Sequence, residues 1–382
     1  MKKESRILIS GAGIAGLTAA IWLAKEGFSP VVVEKAANPR VGGFLVALSH
    51  QAYFFAEELG LIPALRKYDL QIKCSSYHDR SGSTLLALDY DALFNGLGIL
   101  QISRDDLAKV LFEQAQDVVE IRTGDGIASI AQDGGSAQVA FASGKQEDFD
   151  LVIGADGLHS AVRHQIFSPD DYLRHHLDLY VAAYKLPNVL DIKAKFETHM
   201  ERSRYMAVHS TVGDDIGAVF VWSGPDARAV PPGPGRGDFL LNAYDGTTAA
   251  IDRVLQHCPR GDTFYMDALS QIDMPVWHRG RCVLVGDAAW CLTLFSGRGA
   301  AAAFAGACRL ARALSAFEPA KAFEAYERAM RPVIADIMPA TRKAVKWYVP
   351  RTLPNHVMRD GLMRLVPNAL FRQYFKKKYS NV

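Results

Sequence analysis

Residues 7–35, ILISGAGIAGLTAAIWLAKEGFSPVVVEK, constrain the fold more tightly than any other stretch of the chain. A short β run ends at Ser10, three glycines follow in GxGxxG spacing, and an apolar helical pattern extends to Gly27. A second β run, PVVVE, ends at Glu34. This order of strand, turn, helix and strand is that of a βαβ unit that binds a dinucleotide.

The three glycines have separate physical roles in such a unit. Gly11 permits the tight turn, Gly13 lets the backbone approach a pyrophosphate, and Gly16 lets the helix pack closely on the strand. The helix N-terminus offers free N–H groups and a partial positive charge to the phosphates. Glu34 lies at the end of the second strand, where its carboxylate can accept hydrogen bonds from both ribose hydroxyls.

A secretory signal is the competing interpretation of the same stretch. No charged residue occurs from Ile7 to Ala24, and Lys2, Lys3 and Arg6 precede it. However, three glycines would weaken an apolar helix, no A-x-A cleavage site follows, and the next strand ends in an acid. The pattern therefore favours the nucleotide-binding turn.

Composition narrows the class of protein further. The chain has 382 residues and a formal net charge of +2, which does not favour nucleic acid as a partner. Its five cysteines are scattered, with no CxxC pair and no Cys/His ligand spacing, so no metal site is indicated. The scattered cysteines favour a reducing cytoplasm. We also expect no stable membrane insertion, and a monomer or weak dimer.

Three later segments indicate which nucleotide binds. They are VGGFLVAL (41–48), LVIGADGLHSAVR (151–163) and RCVLVGDAAWCLTLFSGRGAAAAFAGACRLARAL (281–314). Together with the GxGxxG turn, they resemble the single-component FAD-dependent aromatic hydroxylases, which are flavoprotein monooxygenases of the para-hydroxybenzoate hydroxylase type. The resemblance covers most of residues 5–320 and keeps the motif order of that family.

The resemblance implies a set of FAD contacts. Asp287 follows an apolar strand, and its carboxylate can accept hydrogen bonds from ribityl hydroxyls. Asp156 matches the family's DG motif, which serves both FAD and the pyridine nucleotide. Arg104 matches an arginine that touches FAD, although it could be an ordinary residue at a helix N-terminus. The residues expected to bind FAD are Gly11, Gly13, Ala15, Gly16, Glu34, Lys35, Arg40, Gly43, Arg104, Asp156, Gly157, Gly286, Asp287, Gly297, Arg298, Gly299 and Ala300.

The same resemblance implies the chemistry. NADPH or NADH would reduce FAD, O₂ would form the flavin C4a-hydroperoxide, and an electron-rich phenolate or enolate would take up the distal oxygen. A second GxGxxG is absent from the sequence, which fits a family whose pyridine nucleotide has no domain of its own. Because the cofactor carries the reaction, no side-chain nucleophile is required.

Three positions depart from the family pattern. Trp290 follows GDAA where His is usual, Leu294 stands in place of a proline, and Gly306 stands in place of an Asp. These changes are similar to the tetracycline-inactivating branch, in which an aromatic residue, Cys and SGxG occur in similar places. A polycyclic, tetracycline-like substrate is therefore one expectation.

The segment SRYMAVH, residues 203–209, is similar to a substrate-lining segment of tetracycline monooxygenases. Arg204 could stabilise an enolate there, although a solvated strand arginine is the alternative. His209 is a second candidate, for which a satisfied strand histidine is the simpler interpretation. The expected substrate contacts are Arg204, Met206, Phe220 and Phe295.

The fold class expected is α/β, with a Rossmann-like FAD-binding domain, a second α+β substrate domain containing a mixed sheet, and C-terminal helices. We expect the FAD domain in residues 1–170 and again in 276–318. Residues 171–275 contain four alternating β runs and predict the substrate domain. Residues 319–382 predict a helical segment that bridges the domains.

The C-terminal segment allows three interpretations. Pro332 and Pro339 interrupt one long helical pattern, and a second follows Pro354. The expectation of bridging rests on apolar residues that would pack across both domains: Met358, Leu362, Met363, Leu365, Val366 and Phe371. A dimer contact and a helix on a membrane surface remain the alternatives.

Rival functions share the fold. A flavin-dependent halogenase is one, although its WxWxIP motif is absent from the sequence. A flavin dehydrogenase or reductase without oxygenation is another, and a non-enzymatic flavin-binding protein is the third.

Overall fold

The computed structural model describes residues 1–37, 42, 44–49, 51–94, 99–224, 227–261, 263–365, 367, 370 and 373. Up to residue 171 the elements are β1 (Ile7–Ser10), α1 (Ile14–Lys25), β2 (Val31–Glu34), β3 (Leu45–Ser49), α2 (Gln51–Glu58), α3 (Ile62–Arg66), β4 (Cys74–His78), β5 (Thr84–Asp89), α4 (Tyr90–Phe94), β6 (Ile99–Ser103), α5 (Arg104–Gln116), β7 (Glu120–Thr123), β8 (Ile127–Gln132), β9 (Ala137–Phe141), β10 (Gln146–Phe149), β11 (Leu151–Gly154), α6 (Ala161–Ile166) and a 3₁₀ turn (Pro169–Asp171).

The later elements complete both domains and add the C-terminal helices. They are β12 (Leu173–Pro187), β13 (Lys195–Met200), β14 (Arg204–Ser210), β15 (Asp215–Ser223), α7 (Gly235–Ala243), α8 (Ala249–Leu255), β16 (Tyr265–Asp273), β17 (His278–Arg279), β18 (Cys282–Leu284), α9 (Asp287–Trp290), a 3₁₀ turn (Leu294–Ser296), α10 (Gly299–Ala316), α11 (Pro319–Tyr348) and α12 (Leu353–Leu365).

The first domain is built on a six-stranded sheet in the order β17-β18-β11-β1-β2-β7. Strands β18, β11, β1, β2 and β7 are parallel, and β17 pairs antiparallel at the edge. Buried apolar residues fill the central strands, as expected for a parallel sheet covered on both faces. The expected Rossmann-like α/β fold is confirmed.

The second domain is built on a seven-stranded sheet in the order β16-β12-β15-β14-β13-β4-β5. Its last two strands come from residues 74–89, which the sequence analysis assigned to the FAD domain. The reason is strand pairing: β4 runs parallel to β13, and β5 forms a hairpin with β4. The chain therefore enters the second domain twice.

The two faces of this sheet have different partners. We call the face packed on helices α7 and α8 the outer face, and the face turned towards the FAD domain the inner face. Because side chains alternate along a strand, neighbouring residues belong to different faces. Met206 and Phe220 lie in the outer core, whereas Tyr205 and Val219 pack on the inner side with Phe295 of the FAD domain.

Helix α11 connects the two domains. It continues through Pro332 and Pro339, which the sequence analysis treated as interruptions. Near its start, the Tyr326 hydroxyl donates to the Leu284 carbonyl oxygen of the FAD sheet at 3.0 Å. Near its end, Val345 packs in the inner-face cluster. Burial along its length, including Ile334, Ile337 and Met338 between the prolines, holds this helix together.

Helix α12 packs on the substrate domain, where Met363 joins the apolar cluster of β4 and β5. Met358, Leu362 and Leu365 were expected to pack between the domains, but they are exposed. The helix turns only one narrow side to the protein, so these positions face away from it. Val366 and Phe371 lie outside the described residues. Among the described helices, none is both long and apolar enough to cross a membrane.

Candidate FAD and substrate site

The GxGxxG turn has the close contacts that its glycines require. Gly11 has a φ of +104°, and a Cβ there would lie 2.7 Å from the Ala155 carbonyl oxygen. A Cβ on Gly16 would lie 1.9 Å from the Gly11 oxygen. By contrast, a Cβ on Gly13 would meet no protein atom within 4 Å. The first and third glycines are therefore required by packing, while the second presents bare backbone at the start of α1.

Glu34 ties the glycine turn to the end of β2. Its Oε2 accepts from the Ala12 N–H at 2.9 Å, and its Oε1 accepts from the Ala36 N–H at 2.9 Å. Each carboxylate oxygen keeps a second lone pair for a further donor. The side chain is half-buried, so it positions the turn and still offers acceptors at its surface.

The GD motif meets the GxGxxG motif directly. Gly286 has φ +67° and ψ −146°, and a Cβ there would lie 2.6 Å from the Cβ of Ala15. Asp287 follows at the first position of α9. This contact places the Asp287 carboxylate close to α1, the helix that follows the GxGxxG turn.

Asp287 is solvent-accessible although protein surrounds it on its other sides. This enclosure raises the pKa of the Asp287 carboxyl, while the Arg104 guanidinium and the Leu292 backbone N–H partly offset the effect. Arg104 is exposed at the start of α5. Arg104 therefore lies close enough to Asp287 to favour the ionised form of its carboxyl.

The loop before α10 carries backbone strain. Thr293 has a φ of +63°, which is unfavourable for a β-branched residue, and Gly297 has a φ of +62°. The buried Thr293 hydroxyl has no hydrogen-bond partner among the described residues. Gly299 begins α10, with Ala300 in its first turn, so the N–H groups of this turn lie beside the loop.

Two expected cofactor residues make protein contacts instead of pointing freely into the site. The Arg298 guanidinium lies 3.5 Å from the Asp336 carboxylate of α11. The Asp156 carboxylate accepts from the backbone N–H groups of Ala161 and Val162 at 2.7 and 3.1 Å, which caps α6. Gly157, with a φ of +79°, continues the turn after Asp156.

Two further positions were expected to bind FAD but are not described: Arg40 and Gly43 lie outside the described residues. Lys35 is described and exposed, and its Cβ packs near Gly126.

The inner face of the second sheet closes over the flavin loop. Phe295 is buried, with ring centroids 6.3 Å from Tyr205 and 6.0 Å from Tyr348. On the other side, Phe44 of the VGGF segment packs edge-on against Tyr265 at 5.1 Å. Two aromatic contacts therefore join the cofactor loops to the sheet.

Arg204, Met206 and Phe220 were expected to contact substrate, but they occupy the outer face. Arg204 donates to Glu201 Oε2 at 2.6 Å and to the Ala243 carbonyl at 2.7 Å. Met206 and Phe220 are completely buried in the outer core. The physical reason is strand alternation, which turns Tyr205 inward and its two neighbours outward.

His209 lies on the inner side, stacked on Phe196 with centroids 6.3 Å apart. Its Nδ1 lies 2.8 Å from the Ser210 carbonyl oxygen. This contact agrees with the simpler interpretation of a satisfied strand histidine.

Trp290 and Gly306 depart from the family pattern as a matched pair. A Cβ on Gly306 would lie 3.0 Å from the Trp290 indole. Trp290 also packs on Trp277, with centroids 4.5 Å apart. A larger residue at 306 would press on the indole, so Trp290 and a side chain at 306 compete for the same space.

Sequence reasoning missed several residues that organise the site. Arg163 is buried and donates to the Ala288 carbonyl at 2.9 Å, so it connects the DG and GD motifs. Phe44, Tyr205 and Tyr265 were also missed. Their signal was the two-residue alternation of the strands, which does not reveal which face meets the cofactor.

The residues present fit FAD. The open position at Gly13, the accessible carboxylate of Asp287, the unpartnered Thr293 hydroxyl and the N-terminus of α10 all provide polar groups or bare backbone in the region expected for it. The packing of Gly286 on Ala15 brings these parts of the chain together.

The sequence model of a family described as "FAD binding domain" matches residues 4–341. The chain therefore belongs to this FAD-binding family, and the resemblance expected from its motifs is confirmed.

Individual relatives indicate which reaction this FAD-binding protein catalyses. A flavin-dependent monooxygenase from an unknown prokaryotic organism is 33% identical over 347 residues, covering 87% of each chain. A flavin-dependent monooxygenase of Legionella longbeachae is 31% identical over 339 residues, covering 87% of each. The crystal structure of tetracycline destructase Tet(51) matches with a TM-score of 0.84 and 26% identity, covering 99% of this chain and 98% of that one. The protein is a flavin-dependent monooxygenase.

Proposed function

We propose that this monooxygenase hydroxylates an electron-rich phenolic or enolic ring system, of polycyclic size, between the flavin loop and the inner sheet face. The observation that carries the proposal is the aromatic contact between Phe295 of that loop and Tyr205 and Tyr348. Aromatic side chains give broad apolar walls to a flat ring substrate.

When bound, FAD supplies the redox chemistry, since it accepts electrons from NADPH or NADH and delivers one oxygen atom of O₂ to the substrate. We assign the ribityl hydroxyls to Asp287 and the adenosine ribose to Glu34. The pyrophosphate belongs at the N-terminus of α1 beside Gly13, and the flavin ring beside Gly297–Ala300. Arg104 adds positive charge near Asp287.

Besides binding FAD, the chain keeps water away from the reacting atoms. The inner face is mostly apolar, with Ala183, Ala207, Val219 and Val221 buried in one cluster. A water-poor site limits wasteful release of peroxide and strengthens the electrostatic interactions inside it. No side chain on this face needs to act as a nucleophile.

The apolar residues that are only partly buried on this side are the best candidates for substrate contact. They belong to both domains, so a substrate held by them would lie between the cofactor and the sheet. They are Phe44, Leu177, Phe196, Tyr265, Leu294 and Tyr348. With Phe295, they replace the contacts expected on the outer face.

The polycyclic substrate class has two supports. One is the likeness to tetracycline destructase Tet(51) over nearly the whole chain. The other is the Trp290–Gly306 pair, which departs from the aromatic hydroxylase pattern in the direction of that branch.

The test is NADPH and NADH oxidation by the FAD-loaded protein in air, with tetracycline, a panel of simple phenols, or no addition. We expect one compound class to accelerate oxidation and to gain an oxygen atom, followed with isotopically labelled O₂. Acceleration without oxygen in any product would refute the hydroxylation and favour a dehydrogenase or reductase.

A pair of variants tests the location of the substrate. Phe196→Leu alters the inner side, and Phe239→Leu makes the same change among partly buried aromatics on the outer side. We expect Phe196→Leu to raise KM for the accelerating compound severalfold, with FAD affinity unchanged, and Phe239→Leu to leave KM unchanged. Equal KM values in both variants would contradict the inner-face site.

A further inference from the structure

A cavity of about 530 Å³ opens on the outer face of the second sheet, where β14 begins and β15 ends. Its walls also include the end of α7, the start of α12 and the turn after β4. Small-molecule sites in proteins have volumes of about 300–1,000 Å³, so the cavity could hold a ligand. The residues that line it include Arg80, Glu201, Arg202, Arg204, Trp222 and His356.

Positive charge dominates this cavity. It is lined by three arginines and one acid, Glu201, which is buried. Both carboxylate oxygens of Glu201 are engaged, since Oε2 accepts from Arg204 Nε at 2.6 Å and Oε1 accepts from the Thr247 hydroxyl at 2.9 Å. Glu201 therefore balances the charge of Arg204 and leaves the charges of Arg80 and Arg202 in the cavity.

Arg80 and Arg202 have no acidic partner in the part of the chain that the structure describes. Arg80 donates to the Gly246 carbonyl oxygen at 2.6 Å, a contact that holds the side chain without neutralising it. Arg202 is exposed in the turn before β14 and forms no ion pair with a described carboxylate. An anion held in the cavity would be attracted by both guanidinium groups.

The connection between α7 and α8 holds two of the arginines in place. Its carbonyl oxygens accept from Arg80, at Gly246, and from Arg204, at Ala243 and Asp245 with distances of 2.7 and 3.2 Å. Because these side chains are already ordered, less conformational entropy is lost when a ligand binds.

We propose that this cavity binds a small molecule carrying a dianionic phosphate group, at a site separate from the flavin. The planar guanidinium group donates two parallel N–H bonds to phosphate oxygens. A phosphate monoester carries a charge of about −1.5 to −2 near neutral pH, which matches the two uncompensated arginines. A single carboxylate group would balance only one of them.

The position of the cavity favours a free phosphate ester over the phosphates of NADPH. The nicotinamide ring has to reach the flavin to transfer hydride, and the flavin loop packs on the inner face, where Phe295 contacts Tyr205. Arg204 precedes Tyr205 on β14 and points to the opposite face. The sheet therefore lies between the cavity and the flavin loop.

The test is titration calorimetry of the FAD-loaded full chain at about 0.1 M salt, where attraction beyond about 10 Å is screened. The two probes are phenyl phosphate and benzoate, which share the ring and differ in the charge of the anionic group. We expect saturable binding of one equivalent of phenyl phosphate, at least about tenfold tighter than benzoate. No saturable binding of phenyl phosphate, or equal affinity for benzoate, would overturn the proposal.

Matched variants separate the cavity from unspecific charge attraction. Arg202→Glu should weaken phenyl phosphate binding at least about tenfold, because it removes charge-assisted hydrogen bonds and reverses one charge. Arg328→Glu makes the same change in net charge at an exposed site on α11 outside the cavity, and should bind like the wild type. Flavin content and melting temperature report whether each variant remains folded. Equal affinity in the two variants would refute the assignment to this cavity.

Competition distinguishes the two sources of phosphate. NADP⁺ and NAD⁺ are added to the phenyl phosphate complex, since these oxidised forms do not reduce the flavin. We expect neither to displace phenyl phosphate. Displacement by NADP⁺ but not by NAD⁺ would assign the cavity to the 2′-phosphate of the co-substrate and overturn a separate site.

Discussion

The contact between Gly286 and Ala15 predicts a large effect from one added methyl group. In Gly286→Ala, the backbone would keep φ +67° and ψ −146°, a conformation essentially restricted to glycine, at about 1–3 kcal/mol. The new Cβ would also lie 2.6 Å from the Ala15 Cβ, whereas carbon atoms normally approach to about 3.5–4.0 Å. Overpacking of this kind adds about 1–3 kcal/mol.

Relief of that contact requires a shift of about 1 Å between α9 and α1, which moves Asp287 relative to the glycine turn. We therefore expect the free energy of unfolding to fall by about 2–6 kcal/mol and the Kd for FAD to rise at least about tenfold. Chemical denaturation of the apo-protein and quenching of flavin fluorescence measure the two quantities separately.

Two controls isolate the cause. Gly60→Ala, at φ +72° with no neighbour within 4 Å, should show the backbone effect alone and normal FAD affinity. Ala15→Gly in the Gly286→Ala background removes the second methyl group and should recover part of both losses, as a double-mutant cycle would show. If Gly286→Ala binds FAD like wild type, or if Ala15→Gly recovers nothing, the proposed contact is not what positions Asp287.

Three further predictions concern charged and titrating groups. Glu34→Ala should weaken FAD binding by about 1–3 kcal/mol, because the ribose hydroxyls and the Ala12 N–H lose an acceptor. Titration calorimetry measures this affinity, and an unchanged value would mean that Glu34 ends the strand without contacting FAD. Asp287→Asn should lower FAD affinity yet stabilise the apo-protein at neutral pH. The reason is that enclosure raises the pKa of the Asp287 carboxyl, so the folded state holds the ionised form less favourably than the unfolded chain does as pH rises. Melting curves at several pH values should show the stability gained by the variant shrinking towards pH 3.8. Burial, and then the charge of His78, lower the pKa of His199 from 6.5 to about 4. Between these two pH values the unfolded chain binds a proton that the folded chain does not, so the free energy of unfolding should fall by up to about 3 kcal/mol as pH falls from 6.5 to 4. His199→Gln should flatten this part of the denaturation profile, and an unchanged profile would contradict the assignment to His199.

The local geometry of the cofactor site could be read from sequence because its constraints are local. Gly16 is fixed by the Gly11 carbonyl oxygen within one βαβ unit, and the positive φ of Gly11 belongs to the turn itself, so the spacing of the motif encodes both. The place of Asp287 between an apolar strand and a helix could be predicted from the local pattern. The contact of Gly286 with Ala15 could not, since it depends on how two distant segments pack.

The substrate side could not be read in the same way. The alternation in SRYMAVH defines two faces but does not say which one meets the cofactor. Arg204 and Met206 were expected at the substrate, whereas the fold places them on the outer face, away from the flavin loop. Pairing of β4 with β13 is a long-range choice with no local signal. The orientation of α12 likewise escaped prediction, because its apolar residues were assumed to face the protein.

Helix α11 has a mechanical consequence for the joined domains. Its two prolines each remove one rung of the backbone ladder, and both fall between the end held by Tyr326 and the end held by Val345. The span between the prolines is not free, however, because Ile334, Ile337 and Met338 are buried there in the core of the FAD domain. The surrounding core therefore supplies the support that the missing backbone hydrogen bonds cannot, and the helix reaches the inner sheet face at Val345 as one continuous element.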